Sequence, residues 1–316
     1  MRSLLLLGPL PPGLQADLAA RYRLHALWQE ADQAGFLRQA QGRFDGAVTM
    51  SRHGASADVF ACLGPRVLAC FGTGVDGIDL TAAQRHGTQV SSTPDVLTEC
   101  VADLAFGLLL ATARRLVAAD AFVRRGEWQQ GAFPLAGRVH GKRLGIVGLG
   151  RIGKAVARRA EGFGMAVRYQ GRAAQAGVPW DFEPAPVSLA RWCDFLVLAC
   201  PGGPGTHHLV DAAVLDALGL QGVLVNIARG SVVDEQALID ALARDAIGGA
   251  GLDVFAQEPQ VPRALVDDDR VVLLPHIAAS TRETRADMER LVLDNLDAFF
   301  TRGRVLTPAA AGEAAP

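Results

Sequence analysis

The sequence predicts an α/β chain built as two doubly wound parallel-sheet domains. Three observations carry that expectation. The chain has 316 residues, long for a single core. Apolar runs of strand length alternate with helical patterns along nearly all of it. One run, RLGIVGLGRIG at residues 143–153, sets Gly148, Gly150 and Gly153 in GxGxxG spacing between a strand and an amphipathic helix. Hydrophobic residues make up 50% of the chain and the net charge is −2, a composition that excludes a disordered protein. There is no basic run, so neither nucleic acid nor a membrane is an expected partner.

The elements follow in order. The opening MRSLLLLGPLPPG reads as a first strand and not a secretory signal, because its apolar run stops at Gly8 and Pro9. Strands are expected at residues 3–7, 47–50 and 67–71, with helices at 14–21 and 57–63, which makes a first α/β unit. The segment FGTGVDGIDL, residues 71–80, reads on its own as an ordinary glycine-rich turn. One long helix is expected over residues 97–125, apolar around much of its circumference and in need of cover from another domain or subunit. Its apolar run is about half of a bilayer span. Residues 126–142, with Trp128 and Phe133, read as an extended arm.

From residue 143 the alternation resumes. Strands are expected at 143–148, 166–170, 194–200, 222–227, 248–254 and 271–274, and helices at 152–161, 211–218 and 235–244. That rhythm predicts a dinucleotide-binding domain, with a pyrophosphate on the helix N-terminus after Gly150. A last helix is expected from Thr281 to Phe300, and the closing TPAAAGEAAP reads as a frayed tail. Five scattered cysteines with no CxxC spacing read as free thiols in a reducing cytoplasm, without a metal site.

The chemistry sits at strand ends. The second strand of the glycine-loop domain ends at Gln170, followed by Gly171 and Arg172, where an acid would usually hold a ribose hydroxyl. An arginine there suits a 2′-phosphate, so NADP(H) is the expected cofactor, with NADH possible. Arg229, Glu258 and His276 each follow a predicted strand, and parallel strands deliver their carboxyl ends to one edge. An arginine can bind a carboxylate and polarise a neighbouring ketone, a histidine can protonate the ketone oxygen, and a carboxylate can orient that histidine. The other histidines show no pairing pattern.

Six segments, FGTGVDGIDL, TPDVLTECVAD, GKRLGIVGLGRIG, VNIARGSVVDE, GAGLDVFAQEP and LLPHIAAST, resemble the D-isomer-specific 2-hydroxyacid dehydrogenases in order and spacing. The resemblance implies two Rossmann-like, flavodoxin-like domains with a cleft between them. Residues 1–97 plus 284–316 would form the substrate lid, and residues 98–283 the NAD(P)-binding domain with a dimerisation helix and arm, giving a homodimer. On matching positions it implies Arg229 as substrate-binding and catalytic, with Glu258 and His276 as the acid pair. Thr73, Gly74 and Val75, with Arg52, would bind substrate, which overturns the plain-turn reading. Cofactor contacts would come from Thr98, Gly148, Leu149, Gly150, Arg151, Ile152 and Gly153, and from Gln170, Gly171 and Arg172. Cys200, Pro201, Thr206, Ile227, Ala228 and Asp253 would complete them, along with Arg229 and His276.

Within the family, YQGR and RRGEWQQGAF look most like the NADPH-preferring glyoxylate and hydroxypyruvate reductases and the related hydroxyphenylpyruvate reductases. The expected substrate is thus a small 2-oxo acid. Two departures stand out: Gly131 where animal glyoxylate reductases carry a tryptophan, and Ala279 in HIAAST beside His276. Two alternatives remain open: an NAD-linked dehydrogenase of another 2-hydroxy acid, and a non-catalytic dinucleotide-sensing protein on the same fold.

Overall fold

Aliphatic runs too short for helices become parallel strands throughout the computed structural model, which describes residues 1–64 and 66–309. The chain divides into two compact units, Met1–Leu97 with the segment from Ser280, and Thr98–Ala279. The first unit runs β1 (Ser3–Leu6), α1 (Pro12–Arg21), β2 (Arg23–Ala26), α2 (Gln33–Gln39), β3 (Gly46–Met50), α3 (Ala57–Leu63), β4 (Val67–Phe71), α4 (Leu80–Arg85) and β5 (Gln89–Ser91). Its sheet is entirely parallel in the order β2-β1-β3-β4-β5. A parallel sheet is covered on both faces, which is why every residue of β3 and β4 is buried. The order reverses between β1 and β3, so ligands of such a sheet bind at the carboxyl ends of these strands.

The second unit runs α5 (Thr98–Ala113), α6 (Leu116–Arg124), β6 (Arg143–Val147), α7 (Arg151–Gly162), β7 (Ala166–Gln170), β8 (Asp181–Phe182), α8 (Pro186–Trp192), β9 (Phe195–Leu198), α9 (Ala212–Leu218), β10 (Val223–Asn226), α10 (Glu235–Ala243), β11 (Gly249–Leu252), α11 (Arg263–Val266) and β12 (Val271–Leu273). Its sheet is also parallel, in the order β12-β11-β10-β9-β6-β7-β8. The reversal falls between β6 and β9, where the glycine turn leaves β6. The chain then returns to the first unit as α12 (Arg282–Arg302). Two parallel α/β units are the expected fold class. Among the described residues no helix is long and apolar enough to cross a membrane.

The single helix expected over residues 97–125 is two. Arg115 adopts a left-handed conformation (φ 50°, ψ 42°) that ends α5 and starts α6 in a new direction. Asp269 pairs with the Arg115 guanidinium at 2.5 Å, and the Phe133 ring lies 5.4 Å beneath it. No glycine or proline marks the break, so periodicity ran through it. α5 itself lies close against β11 because Gly251 has no side chain: a Cβ there would be 2.9 Å from Thr112 Oγ1 and 3.1 Å from Leu108 Cβ.

The tail is also corrected in part. Thr307 donates its hydroxyl to the Ser92 carbonyl at 2.6 Å, and the Ala309 N–H reaches the Val90 carbonyl at 2.8 Å, so the chain lies along β5. The buried Asn295 of α12 fixes this segment by accepting the Leu306 and Thr307 N–H groups. The rest of the expected frayed tail, residues 310–316, lies outside the described residues.

Candidate active site

The glycine turn leaves β6 at the reversal of strand order. Gly148 sits at φ +93°, and a Cβ on it would be 2.6 Å from Cys200 Cα. At Gly153 a Cβ would meet the Gly148 carbonyl oxygen at 2.1 Å, so α7 packs on the turn only because that position is bare. Gly150 differs: a Cβ there would meet nothing within 4 Å, which leaves the space in front of α7 open. The first helical bond of α7 runs from the Lys154 N–H to the Gly150 carbonyl, so the N–H groups of Ile152 and Gly153 point out of its first turn. That cradle fits a dinucleotide pyrophosphate. Leu149 is buried in the turn and Arg151 is the first residue of α7.

The remaining expected contacts of this unit sit at element ends and in loops. Thr98 is the first residue of α5. Gln170 closes β7, and Arg172 is exposed two residues on. Cys200 is buried just past β9, and burial pushes its thiol pKa up to about 11. The Thr206 hydroxyl donates to the Pro201 carbonyl at 2.7 Å, which closes the loop after that strand.

Three adjacent strands carry the other residues. Ile227 and Ala228 are buried past the end of β10. Asn226, the last residue of β10, accepts the Ala228 N–H and donates to the Arg229 carbonyl, bending the chain so that Arg229 follows the strand end. The Arg229 guanidinium donates to the Ala228 carbonyl at 2.7 Å. Gly230 lies against the loop after β11, where a Cβ would be 1.9 Å from the Phe255 carbonyl carbon. In that loop the Ala256 N–H donates to Glu235, and the Phe255 N–H donates to Glu258 Oε1.

Asp253, just past β11, is fully buried. Its backbone carbonyl accepts the His276 N–H at 2.9 Å, and its carboxylate accepts the Ile277 and Ala278 N–H groups at 2.7 and 2.9 Å. Burial raises the Asp253 pKa, against the lowering effect of those two N–H groups and of His276. His276 is thereby held at φ +54°. Its Nδ1 lies 2.8 Å from Glu258 Oε2. Burial pushes the Glu258 pKa up, but the His276 hydrogen bond and charge, the Phe255 N–H and the Arg229 charge outweigh it, and the carboxyl is held below its ordinary range. An ionised Glu258 can only accept, so Nδ1 carries a proton and Nε2 is the outward nitrogen.

Arg229, Glu258 and His276 are thus brought together at the carboxyl edge of one sheet. The placement of Asp253 makes it the anchor of the His276 loop. Asn226, Gly230 and Glu235 were not singled out from the sequence. The only available signal was a lone amide ending the apolar run VLVN.

In the first unit, Thr73, Gly74 and Val75 follow β4, and Arg52 follows β3. Gly72 stands at φ +133°, and a Cβ there would be 2.0 Å from Ser51 Oγ. Its N–H donates to Thr93 Oγ1, and the Thr73 hydroxyl donates to the Thr93 carbonyl. The Arg52 Nε–H donates to His53 Nε2 at 3.2 Å. Burial and the Arg52 charge push the His53 imidazole below its usual pKa. Among the described residues, no group of three or more His, Cys, Asp and Glu side chains is placed to hold a metal ion.

Comparison with known proteins supplies the context. Residues 106–278 match the family model for the NAD-binding domain of D-isomer-specific 2-hydroxyacid dehydrogenases. Over 305 residues the chain is 44% identical to glyoxylate/hydroxypyruvate reductase A of Arabidopsis thaliana, covering 96% of this chain and 97% of that protein. It is likewise 44% identical over 306 residues to the hydroxyphenylpyruvate reductase of Plectranthus scutellarioides, with 96% and 97% covered. Among solved structures, the NADPH-dependent glyoxylate/hydroxypyruvate reductase of Sinorhizobium meliloti, in complex with NADP and malonate, superposes with a TM-score of 0.89 at 40% identity, over 98% of this chain and 97% of that one.

The lowered Glu258 pKa has a measurable consequence. A depressed carboxyl adds stability that is fully present above the ordinary glutamate value, about 4.3, and is lost as pH falls through the lowered one. Urea midpoints of wild type and Glu258→Gln should therefore differ at neutral pH and converge below about pH 4. A difference unaffected by acid would refute the pairing.

Proposed function

The chain belongs to the D-isomer-specific 2-hydroxyacid dehydrogenases, and from that premise we propose that it reduces small 2-oxo acids, glyoxylate and hydroxypyruvate first, with NADPH as the preferred donor. The product has the D configuration where it is chiral. The observation that carries this reading is the Glu258–His276 hydrogen bond beside Arg229, at the edge of the sheet that also bears the glycine turn. The open space at Gly150 suits a dinucleotide, and the NADP and malonate in the Sinorhizobium meliloti reductase support both a phosphorylated cofactor and a carboxylate ligand.

The residues divide the work as follows. The Arg229 guanidinium holds the substrate carboxylate and polarises the adjacent carbonyl. His276 delivers the proton on Nε2 to the carbonyl oxygen, while Glu258 keeps Nδ1–H fixed. When bound, the nicotinamide supplies the hydride that the carbonyl carbon accepts. Thr73, Gly74 and Val75 offer backbone N–H groups to an anion; among the described residues no hydrogen bond uses them. Arg172 pairs with the 2′-phosphate, and Gln170 puts no carboxylate there to repel it.

A homodimer is part of the same proposal. α6 has no buried residue, its Leu116, Val117 and Val123 are exposed, and in the arm Trp128 and Leu135 are 65% and 100% exposed. An apolar surface of that kind calls for a partner, and a second copy is the one the dehydrogenase family offers. A cytoplasmic location is supported by five free cysteines, and cell fractionation tests it.

Arg229→Ala and His276→Ala should each lower kcat/KM for glyoxylate by about 10² to 10⁴ while NADPH binding stays nearly unchanged. Near wild-type turnover in either variant would overturn the mechanism. Steady-state assays with glyoxylate, hydroxypyruvate, pyruvate and hydroxyphenylpyruvate should give a higher kcat/KM with NADPH than NADH, and Arg172→Ala should erase that preference; a wild-type preference for NADH would defeat the cofactor reading. In sedimentation, wild type should run as a dimer and Val123→Asp/Leu135→Asp should shift toward monomer. A monomeric wild type would remove the dimer.

A further inference from the structure

The loop that carries Arg172 has no helix or strand of its own to hold a selective cation in place. Residues 171–177 lie between β7 and β8 without helix or strand bonds, and Arg172, Ala173 and Ala174 are all exposed. Gly171 adds freedom at its base. A chain of that composition would have to be ordered as a ligand binds, and the ordering would weaken any phosphate contact Arg172 makes.

Two hydrogen bonds of Gln175 oppose this. Its backbone N–H donates to the Tyr169 hydroxyl at 2.6 Å. Its side-chain amide donates to the Leu149 carbonyl at 2.9 Å. Tyr169 is 1% exposed and its ring packs on Phe182, so its hydroxyl is a fixed acceptor. Leu149 is the central residue of the glycine turn. Gly148 is itself tied to the end of β7 through its N–H on the Gln170 carbonyl. The loop is therefore closed at both ends: Gly171 leaves the strand that Gly148 holds, and Gln175 returns to the residue after Gly148.

We propose that Gln175 and Tyr169 are positioning residues for cofactor selectivity, fixing residues 171–175 on the glycine turn so that Arg172 is ordered before a 2′-phosphate arrives. This rests on the reading that Arg172 recognises that phosphate. The arrangement also accounts for a tyrosine at the inward position of β7, where a phenylalanine would pack as well but leave the Gln175 N–H without its acceptor.

Equilibrium binding of adenosine 2′,5′-bisphosphate and of AMP, measured by titration calorimetry on the full chain, tests the assignment. Gln175→Met keeps the side-chain volume and removes the amide donor, and Tyr169→Phe removes the acceptor. Each should weaken the bisphosphate about fivefold to tenfold and AMP less than about twofold. In assays the same variants should raise KM for NADPH with little change in kcat. On an Arg172→Ala background, Gln175→Met should weaken the bisphosphate no further, because it acts through Arg172. Equal weakening of both probes, an additive loss on that background, or no effect of either variant would overturn the proposal while Arg172→Ala still weakens the bisphosphate. If Arg172→Ala leaves bisphosphate binding unchanged, the phosphate reading itself falls and takes this inference with it.

Discussion

The buried carboxylate of Asp253 is the contact on which the candidate site depends. It stands past the middle strand of the three that lead to Arg229, Glu258 and His276, and with its backbone carbonyl it accepts three consecutive N–H groups, from His276, Ile277 and Ala278. A non-glycine residue with positive φ costs about 1 to 3 kcal/mol and persists only where its surroundings determine it. His276 is such a residue, at φ +54°, and the three bonds to Asp253 are what determine it. Its imidazole can then meet Glu258, six residues past the end of β11.

The remaining geometry follows from parallel strands and two missing side chains. β10, β11 and β12 are neighbours in register, so their carboxyl ends deliver Arg229, Glu258 and His276 to one edge. The loops after β10 and β11 approach closely only because Gly230 has no Cβ to strike Phe255. On the other side of the sheet's reversal, Gly153 lets α7 reach the glycine turn in the same way. Both close approaches are made of backbone, so any side chain at these positions would displace a loop and not merely another side chain.

How much of this the sequence discloses depends on the kind of signal. Strand ends are legible where an apolar run stops at a polar or glycine residue, as at Gly148, Gln170 and Arg229, and β3, β4, β6 and β10 could be located from their runs. The edge strands β2, β5 and β8 have only two to four residues, too few to leave a periodic trace. The break at Arg115 is likewise silent, because an ion pair with Asp269 and a ring contact with Phe133 impose it from far along the chain. The pairing of Thr307 and Ala309 with β5 depends on Asn295, which looks in sequence like one more polar residue of an amphipathic helix. Residue types can suggest a triad, but of the bonds that aim it only those of Asn226 are local, and those of Asp253 and Glu235 come from tertiary structure.

Two carboxylates of one loop are driven in opposite directions, and that difference assigns their parts. Asp253 is raised by burial and spends its oxygens on backbone N–H groups, so it holds the frame. Glu258 is lowered because it faces both His276 and Arg229. A fixed arginine charge and a hydrogen-bonding ring nitrogen both favour the ionised carboxylate. An ionised Glu258 can only accept, so the proton of the shared bond stays on His276 Nδ1 and Nε2 is left facing outward. The carboxylate buried among N–H groups therefore fixes where the histidine stands, and the one that faces a guanidinium fixes which ring nitrogen carries the proton.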